Sequence, residues 1–229
     1  MMRGVSRGRK WLLALLAVIA IPVAAAPRDW TIVAAKSAVG AYVVGNPKAK
    51  VKLVEYVSYV CPHCAHFSQE SSATLKGRMI ASGSVNLEVR ALIQDQIDLA
   101  AALTARCAGP ANFLRISEQL FAQQNDWYWR SRRYVEANET RLSAYPPLER
   151  VSAIVDAGGI GALATANGLP AARLKACFAS GTALEEILTI DQAARTVAEG
   201  TPTFVLNGKK ITGAGWAQLE PMLRAAGAR

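Results

Sequence analysis

Two cysteines separated by two residues are the part of this sequence best suited to chemistry. They lie in the tetrapeptide Cys61-Pro62-His63-Cys64, and this spacing lets them close a small disulfide ring. The apolar, strand-like run 51–60 precedes them, so we expect a helix to begin at Cys61. Free N–H groups and the positive end of the dipole at a helix start favour a negatively charged sulfur. The motif therefore indicates a dithiol that exchanges disulfides, with Cys61 attacking and Cys64 resolving.

The two residues between the cysteines suit this chemistry. Pro62 is tolerated in the first helical turn because the N–H that it lacks would have been unpaired. His63 lies in the same turn and can bring a hydrogen-bond donor or a positive charge to the Cys61 sulfur. The helix start and His63 together are expected to lower the pKa of Cys61 below the ordinary cysteine value of about 8.5. A stabilised thiolate makes the disulfide form a stronger oxidant.

A metal site is the alternative from a different class of function. Cys61, His63, Cys64 and His66 could ligate a metal ion, yet closed zinc sites usually take a second ligand pair from elsewhere. The sequence has only two histidines, and its remaining cysteines are isolated. We therefore expect no metal and no soluble cofactor. A chaperone or binding role is a further alternative, which predicts that a Cys61→Ser variant keeps its activity.

Residues 1–25 have the pattern of a secretory signal peptide. A basic start precedes the apolar stretch 11–26, which ends in small residues. That stretch has 16 residues, including Pro22, whereas a membrane-spanning helix needs roughly 20. We expect cleavage after Ala25, and the alternative is an uncleaved anchor. Both place the cysteine pair in an oxidising compartment, where disulfides persist.

The charge of the chain does not indicate nucleic-acid binding. Four of the 26 Lys and Arg residues lie in 1–25, so 22 remain against 17 acidic residues, a net charge of +5. This excess is modest for a chain of this length. The densest basic segment, 127–134, predicts an amphipathic helix with its aromatic rings inward and its arginines solvated. Stacking on bases and docking to a membrane partner are the alternatives for this segment.

The hydrophobic pattern predicts an α/β fold in which a sheet is interrupted by helices. A strand at 51–60, a helix at 65–79 and a strand at 86–93 form a unit with parallel pairing and a right-handed crossover. From 98 to about 199 the pattern is helical, with breaks near 109, 125, 145, 158 and 168. Strands at 203–206 and 209–212 follow, joined by a hairpin turn at Asn207-Gly208. A terminal helix is predicted at 216–225. The segments 34–40 and 45–48 are predicted to be loops.

Two segments and the helical interruption together resemble the DsbA-like branch of the thioredoxin superfamily. The segments are 55–64, which ends in the cysteine pair, and 200–205, which contains Thr201-Pro202-Thr203. The resemblance implies a thioredoxin fold, a mixed central sheet flanked by helices, with an inserted all-helical domain. We place the two parts of the thioredoxin domain at 26–97 and 191–229, and the insertion at 98–190.

The resemblance also implies a periplasmic thiol-disulfide oxidoreductase. The expected activity is an oxidase that donates disulfides to thiol-containing exported proteins, with an isomerase or a reductase as the alternative. A DsbB-like membrane quinone reductase would reoxidise the enzyme, which we expect to be a monomer that binds no nucleic acid. Thr201 departs from the valine common at this position, so we expect a substrate groove of a different shape.

Three further site residues follow from the resemblance. Glu55 matches a buried acid beneath the active site that assists proton transfer involving Cys64. The alternative is an acid on an edge strand that points to water. Thr201 and Pro202 match a cis peptide bond that faces the cysteine pair, where Thr201 offers backbone hydrogen bonds to an extended substrate. The alternative is a trans proline that only starts a strand.

The two remaining cysteines, Cys107 and Cys177, both lie in the helical segment. Exported proteins seldom leave two thiols free, so we predict a structural disulfide between them. The alternative is a pair of buried thiols that act as small hydrophobic side chains.

Overall fold

The computed structural model describes Met1 and residues 28–229. The predicted signal peptide and its cleavage site after Ala25 lie outside the described residues. Within residues 28–229, no helix has both the length and the apolar character needed to cross a membrane.

A six-stranded mixed sheet forms the centre of the molecule, with strand order β1-β2-β4-β3-β5-β6. The strands are β1 (Ala34–Lys36), β2 (Tyr42–Gly45), β3 (Val51–Val57), β4 (Val85–Ala91), β5 (Thr203–Leu206) and β6 (Lys209–Ile211). β3 pairs parallel with β4 and antiparallel with β5. The predicted parallel strand–helix–strand unit and the hairpin after β5 are both present.

An α-helix and a π-helical segment that continues it connect β3 to β4. α1 (Pro62–Ser71) begins directly after Cys61 and passes into a π-helical segment, Ser72–Ile80. The sequence predicted an ordinary helix up to residue 79. The change to π-helical hydrogen bonding is local, and the hydrophobic pattern does not reveal it.

Eight helices lie between β4 and β5, in agreement with the predicted all-helical interruption. They are α2 (Gln96–Cys107), α3 (Phe113–Ala122), α4 (Gln124–Ala137), α5 (Glu139–Ser143), α6 (Pro147–Gly158), α7 (Ile160–Ala166), α8 (Ala171–Ser180) and α9 (Thr182–Arg195). The terminal helix α10 (Trp216–Ala225) follows β6.

β1 and β3 differ from the sequence prediction. The segment 34–36, predicted to be a loop, is the edge strand β1 and pairs antiparallel with β2. The strand predicted at 51–60 ends at Val57, because the next residues turn towards α1 and bind side chains of the helical segment.

The sheet and the helices share one hydrophobic core. Leu53 and Phe204 from the sheet are buried in the same cluster as Leu103, Ile116 and Ile154 from the helices. The helices therefore pack directly against the scaffold that carries the cysteine pair.

Candidate functional site

The cysteine pair lies where the central strand β3 passes into α1. Cys61 is the N-cap residue of α1, with Pro62 at the first helical position. Cys64 lies one turn further along and is fully buried, whereas Cys61 keeps 7% of its surface exposed. Both thiols are free. Cys61 is thus the sulfur that a second molecule would reach first.

The surroundings of the two sulfurs shift their pKa values in opposite directions. A side-chain hydrogen bond from Cys64, together with one from Thr201 and backbone N–H groups of Cys64 and His63, lowers the pKa of Cys61 to about 5 against the opposing effect of burial. The same hydrogen bond to Cys61, together with burial, raises the pKa of Cys64. At neutral pH the reduced pair therefore holds one thiolate, on Cys61.

The contact that His63 makes with Cys61 comes from its backbone, and a donor or positive charge from its side chain stays a prediction. Its N–H group hydrogen-bonds to Cys61, while its side chain is exposed. That side chain lines a groove of about 290 Å³ together with His66, Thr201 and Pro202. Two residues of this groove, His63 and Thr201, also contact Cys61.

The segment before β5 forms the opposite wall of the site. The peptide bond between Thr201 and Pro202 is cis, and the Cys61 thiol donates a hydrogen bond to the Thr201 carbonyl oxygen over 3.2 Å. The Thr201 hydroxyl accepts a hydrogen bond from Gln94 Nε2 at 3.2 Å. Pairing of Thr203 with Tyr56 on β3 brings this segment to the cysteine pair.

Glu55 lies beneath the site on β3. It pairs with Val89 on one side and Phe204 on the other, so the alternative of an acid on an edge strand facing water is wrong. Burial raises the pKa of Glu55 to about 8. Glu55 lines a cavity of about 50 Å³ together with Ser71 and Ser117, which gives room for a few water molecules. An acid in this state can give or take a proton near neutral pH.

The sequence did not single out two residues that hold the turn before Cys61. Asp98 on α2 accepts a hydrogen bond from the Tyr59 N–H at 2.7 Å, and burial raises the pKa of Asp98 to about 7. Gln124 on α4 donates to two backbone carbonyl groups of this turn. Asp98 is an acid at the start of an apolar helical stretch, and Gln124 stands in the polar run Gln123-Gln124-Asn125-Asp126. Many solvated helix faces show both patterns.

The metal alternative finds no support in the geometry. Within residues 28–229, no three His, Cys, Asp or Glu side chains are grouped to hold a metal ion. His66 instead lies against Glu70 on the surface of α1, with 3.2 Å between Nδ1 and Oε2.

Cys107 and Cys177 form a disulfide in the structure, with their Cα atoms 5.8 Å apart. Cys107 is the last residue of α2, and Cys177 lies in α8. The bond joins two helices that are distant in sequence.

The aromatic and basic segment 127–134 is part of α4, as predicted, but only some of its rings point inward. Trp127 is fully buried, whereas Trp129 is 51% exposed. Arg132 lies over the Trp129 ring, 5.8 Å from its centroid. The prediction that the rings face inward is therefore wrong for Trp129.

Comparisons with known proteins agree with this geometry. A curated relative from Rickettsia felis, provisionally named a protein-disulfide oxidoreductase, is 31% identical over 169 residues, which cover 72% of this chain and 52% of the relative. The chain thus spans about half the length of the curated relatives that it matches. The crystal structure of a protein-disulfide isomerase from Novosphingobium aromaticivorans is 31% identical, with a TM-score of 0.71, and the match covers 80% of this chain and 95% of that one.

More distant structures share the fold. The structure of alpha-DsbA1 from Wolbachia pipientis superposes with a TM-score of 0.63 at 18% identity, covering 80% of this chain and 89% of that one. Residues 37–225 match the family model described as thioredoxin. The chain therefore belongs to the thioredoxin family and has the fold of its DsbA-like members.

Proposed function

We propose that this protein is a thiol-disulfide oxidoreductase that acts as an oxidase and donates the Cys61–Cys64 disulfide to exported proteins. The opposed environments of the two sulfurs are the observation that carries this proposal. A pKa of about 5 for Cys61, against an ordinary value of 9.0, stabilises the reduced protein at pH 7 by at most about 3 kcal/mol, since solvent screens a half-buried sulfur. That upper bound corresponds to about 60 mV towards a more oxidising disulfide.

The reaction cycle follows from the positions of the sulfurs. A substrate thiolate attacks the Cys61 sulfur, a mixed disulfide forms, and the Cys61–Cys64 bond breaks. Glu55 supplies a proton to the departing Cys64 sulfur, whose buried site disfavours a charge. A second substrate thiolate then attacks the substrate sulfur, and Cys61 leaves as the stabilised thiolate. The substrate gains a disulfide, and the two electrons stay on the enzyme.

The segment with Thr201 and Pro202 and the groove beside it provide substrate recognition. The Thr201 carbonyl, held in place by the adjacent Pro202, accepts a backbone N–H from an extended substrate segment, and His63 borders its path. Recognition through main-chain hydrogen bonds tolerates many substrate sequences. This suits an enzyme whose substrates are thiol-containing proteins of diverse sequence.

Turnover requires an oxidant for the reduced pair. We assign this role to a DsbB-like membrane quinone reductase, and no soluble cofactor takes part. The protein works as a monomer in the periplasm after removal of residues 1–25. In this proposal 26–97 and 191–229 form the thioredoxin domain, and 98–190 form the insertion that covers it.

An isomerase is the second candidate, favoured by the name of the Novosphingobium aromaticivorans protein, which is 31% identical. Equilibration of the Cys61–Cys64 pair with glutathione buffers separates the candidates through the reduction potential. An oxidase should lie well above the potential of thioredoxin, which is about −270 mV. A value near that of thioredoxin would reject the oxidase, and rapid repair of a scrambled substrate would support the isomerase. A Cys61→Ser variant serves as the inactive control.

A further inference from the structure

A buried amide from the helical insertion binds the backbone on both sides of the turn that leads into α1. Gln124, the first residue of α4, keeps only 7% of its surface exposed. Its Nε2 donates one hydrogen bond to the Tyr59 carbonyl at 2.7 Å and another to the Cys61 carbonyl at 2.9 Å. Both N–H groups of the amide are therefore committed to the reactive turn.

The same turn is held by two other helices through Tyr59. Its backbone N–H donates to Asp98 of α2 at 2.7 Å. Its hydroxyl lies 2.7 Å from the Ser117 hydroxyl of α3, and its ring stacks on Phe121 with 4.9 Å between centroids. Three helices of the insertion thus hold Tyr59 in place, and Gln124 also binds the backbone of Cys61.

The hydrogen bond from Gln124 to the Cys61 carbonyl lies at the start of α1. The Cys61 carbonyl also accepts the first helical hydrogen bond, from the Ala65 N–H at 3.2 Å. The orientation of this carbonyl fixes the plane of the first peptide of the helix. That plane governs how the N–H groups of His63 and Cys64 point at the Cys61 sulfur, since they lie in the same turn.

From this geometry we propose that Gln124 is a positioning residue for disulfide exchange. It orients the Cys61 peptide so that the start of α1 stabilises the sulfur anion, and it makes the helical insertion part of the redox site. The inference rests on the proposed function and adds to it a residue that touches neither sulfur. Without the amide, two buried carbonyl groups lose a donor, and the turn relaxes until water or another group satisfies them.

The test replaces Gln124 with methionine, which has nearly the same length and no donor. Gln123→Met is the matched control, because Gln123 is the adjacent residue and is exposed. The readout is the thiolate absorbance of Cys61 as a function of pH in the reduced protein, together with the equilibrium constant with glutathione. We expect Gln124→Met to raise the pKa of Cys61 by about one unit and to shift the equilibrium constant about tenfold towards the disulfide. The control should shift neither.

A residue that only adds stability would lower the denaturation midpoint and leave the thiolate titration unchanged. An unchanged Cys61 pKa in folded Gln124→Met would therefore overturn the inference. Should that variant fail to fold, Gln124→Asn keeps a buried amide one carbon shorter and takes its place, with the same expected direction. The titration needs no substrate, so its result is separate from the proposed function, which fails if the wild-type protein transfers no disulfide.

Discussion

The thiol of Cys61 donates a hydrogen bond to the carbonyl oxygen of Thr201, over 3.2 Å and across 140 positions of the chain. This bond favours the neutral thiol, while the Thr201 side chain and the start of α1 favour the thiolate. In the proposed mechanism the substrate meets the disulfide form, in which Cys61 has no S–H group. The Thr201 carbonyl oxygen is then free to accept a backbone N–H from the substrate.

Cys64 should control the acidity of Cys61 through its hydrogen bond, which is the largest influence on the Cys61 pKa. Removing the donor in Cys64→Ala should raise that pKa by about one to two units, since hydrogen bonds to charged groups contribute about 1.5 to 3 kcal/mol. Cys64→Ser keeps an O–H donor and should raise it less. The measurement is the pH dependence of alkylation at Cys61, and equal values for the two variants would contradict the assignment.

The Thr201 hydroxyl should make a smaller contribution to the same thiolate. Thr201→Val keeps the shape of the side chain and removes the donor, so the pKa of Cys61 should rise by about one unit or less. Gln94→Ala is the control, because it removes the donor to the Thr201 hydroxyl and leaves the hydroxyl in place. A rise in Gln94→Ala equal to that in Thr201→Val would show that the hydroxyl itself is not responsible.

Glu55 should make the stability of the protein depend on pH. Its pKa is raised from 4.5 to about 8 in the folded protein, so between these values the folded state holds a proton that the unfolded state has lost. Stability from this group is therefore greatest below pH 4.5, falls as pH rises towards about 8, and is constant above. Glu55→Gln lacks this dependence. The free energy of unfolding of Glu55→Gln, relative to that of the wild type, should therefore rise by about 3 to 5 kcal/mol between pH 4.5 and 8.5.

Urea unfolding of both proteins at several pH values measures this effect. The disulfide form should be used, so that Cys61 and Cys64 do not titrate. Asp98 is present in both proteins, and its own pH dependence therefore cancels in the difference. A constant difference between the wild type and Glu55→Gln over this range would show that Glu55 ionises normally in the folded protein.

The bond between Cys107 and Cys177 should contribute to stability. It closes a loop with a sequence separation of 70, and removing such a bond typically costs about 2 to 5 kcal/mol. The double variant Cys107→Ala and Cys177→Ala should lower the free energy of urea unfolding by this amount. Both proteins should carry Cys61→Ser and Cys64→Ser, so that no second disulfide contributes. Equal unfolding midpoints with and without the bond would contradict the prediction.

Local motifs explain why much of the fold could be predicted from the sequence. Pro62 marks the start of α1, and the Asn207-Gly208 turn, with positive φ at both residues, marks the hairpin after β5. Each signal depends on the conformation of one or two residues, which the amino acid type restricts directly.

The missed features depend on contacts between distant parts of the chain. Ala34–Lys36 has no strand pattern of its own and is extended because it pairs with β2. The hydrogen bonds from Asp98 and Gln124 to the turn at Tyr59 exist only after the helices pack. Nothing in a window of neighbouring residues distinguishes these two side chains from solvated ones.

The central place of β3 in the sheet affects the order in which the site is completed during synthesis. Cys61 and Cys64 leave the ribosome long before β5, whose pairing with β3 brings Thr201 to them. Until then a growing chain carries the two thiols without the segment that contains Thr201. The hydrogen bonds between Thr201 and Cys61, which affect the pKa of Cys61, are absent as well. A chain released before residue 201 would therefore carry two thiols without the contribution of Thr201 to the low pKa of Cys61. The site is complete only once β5 has been made.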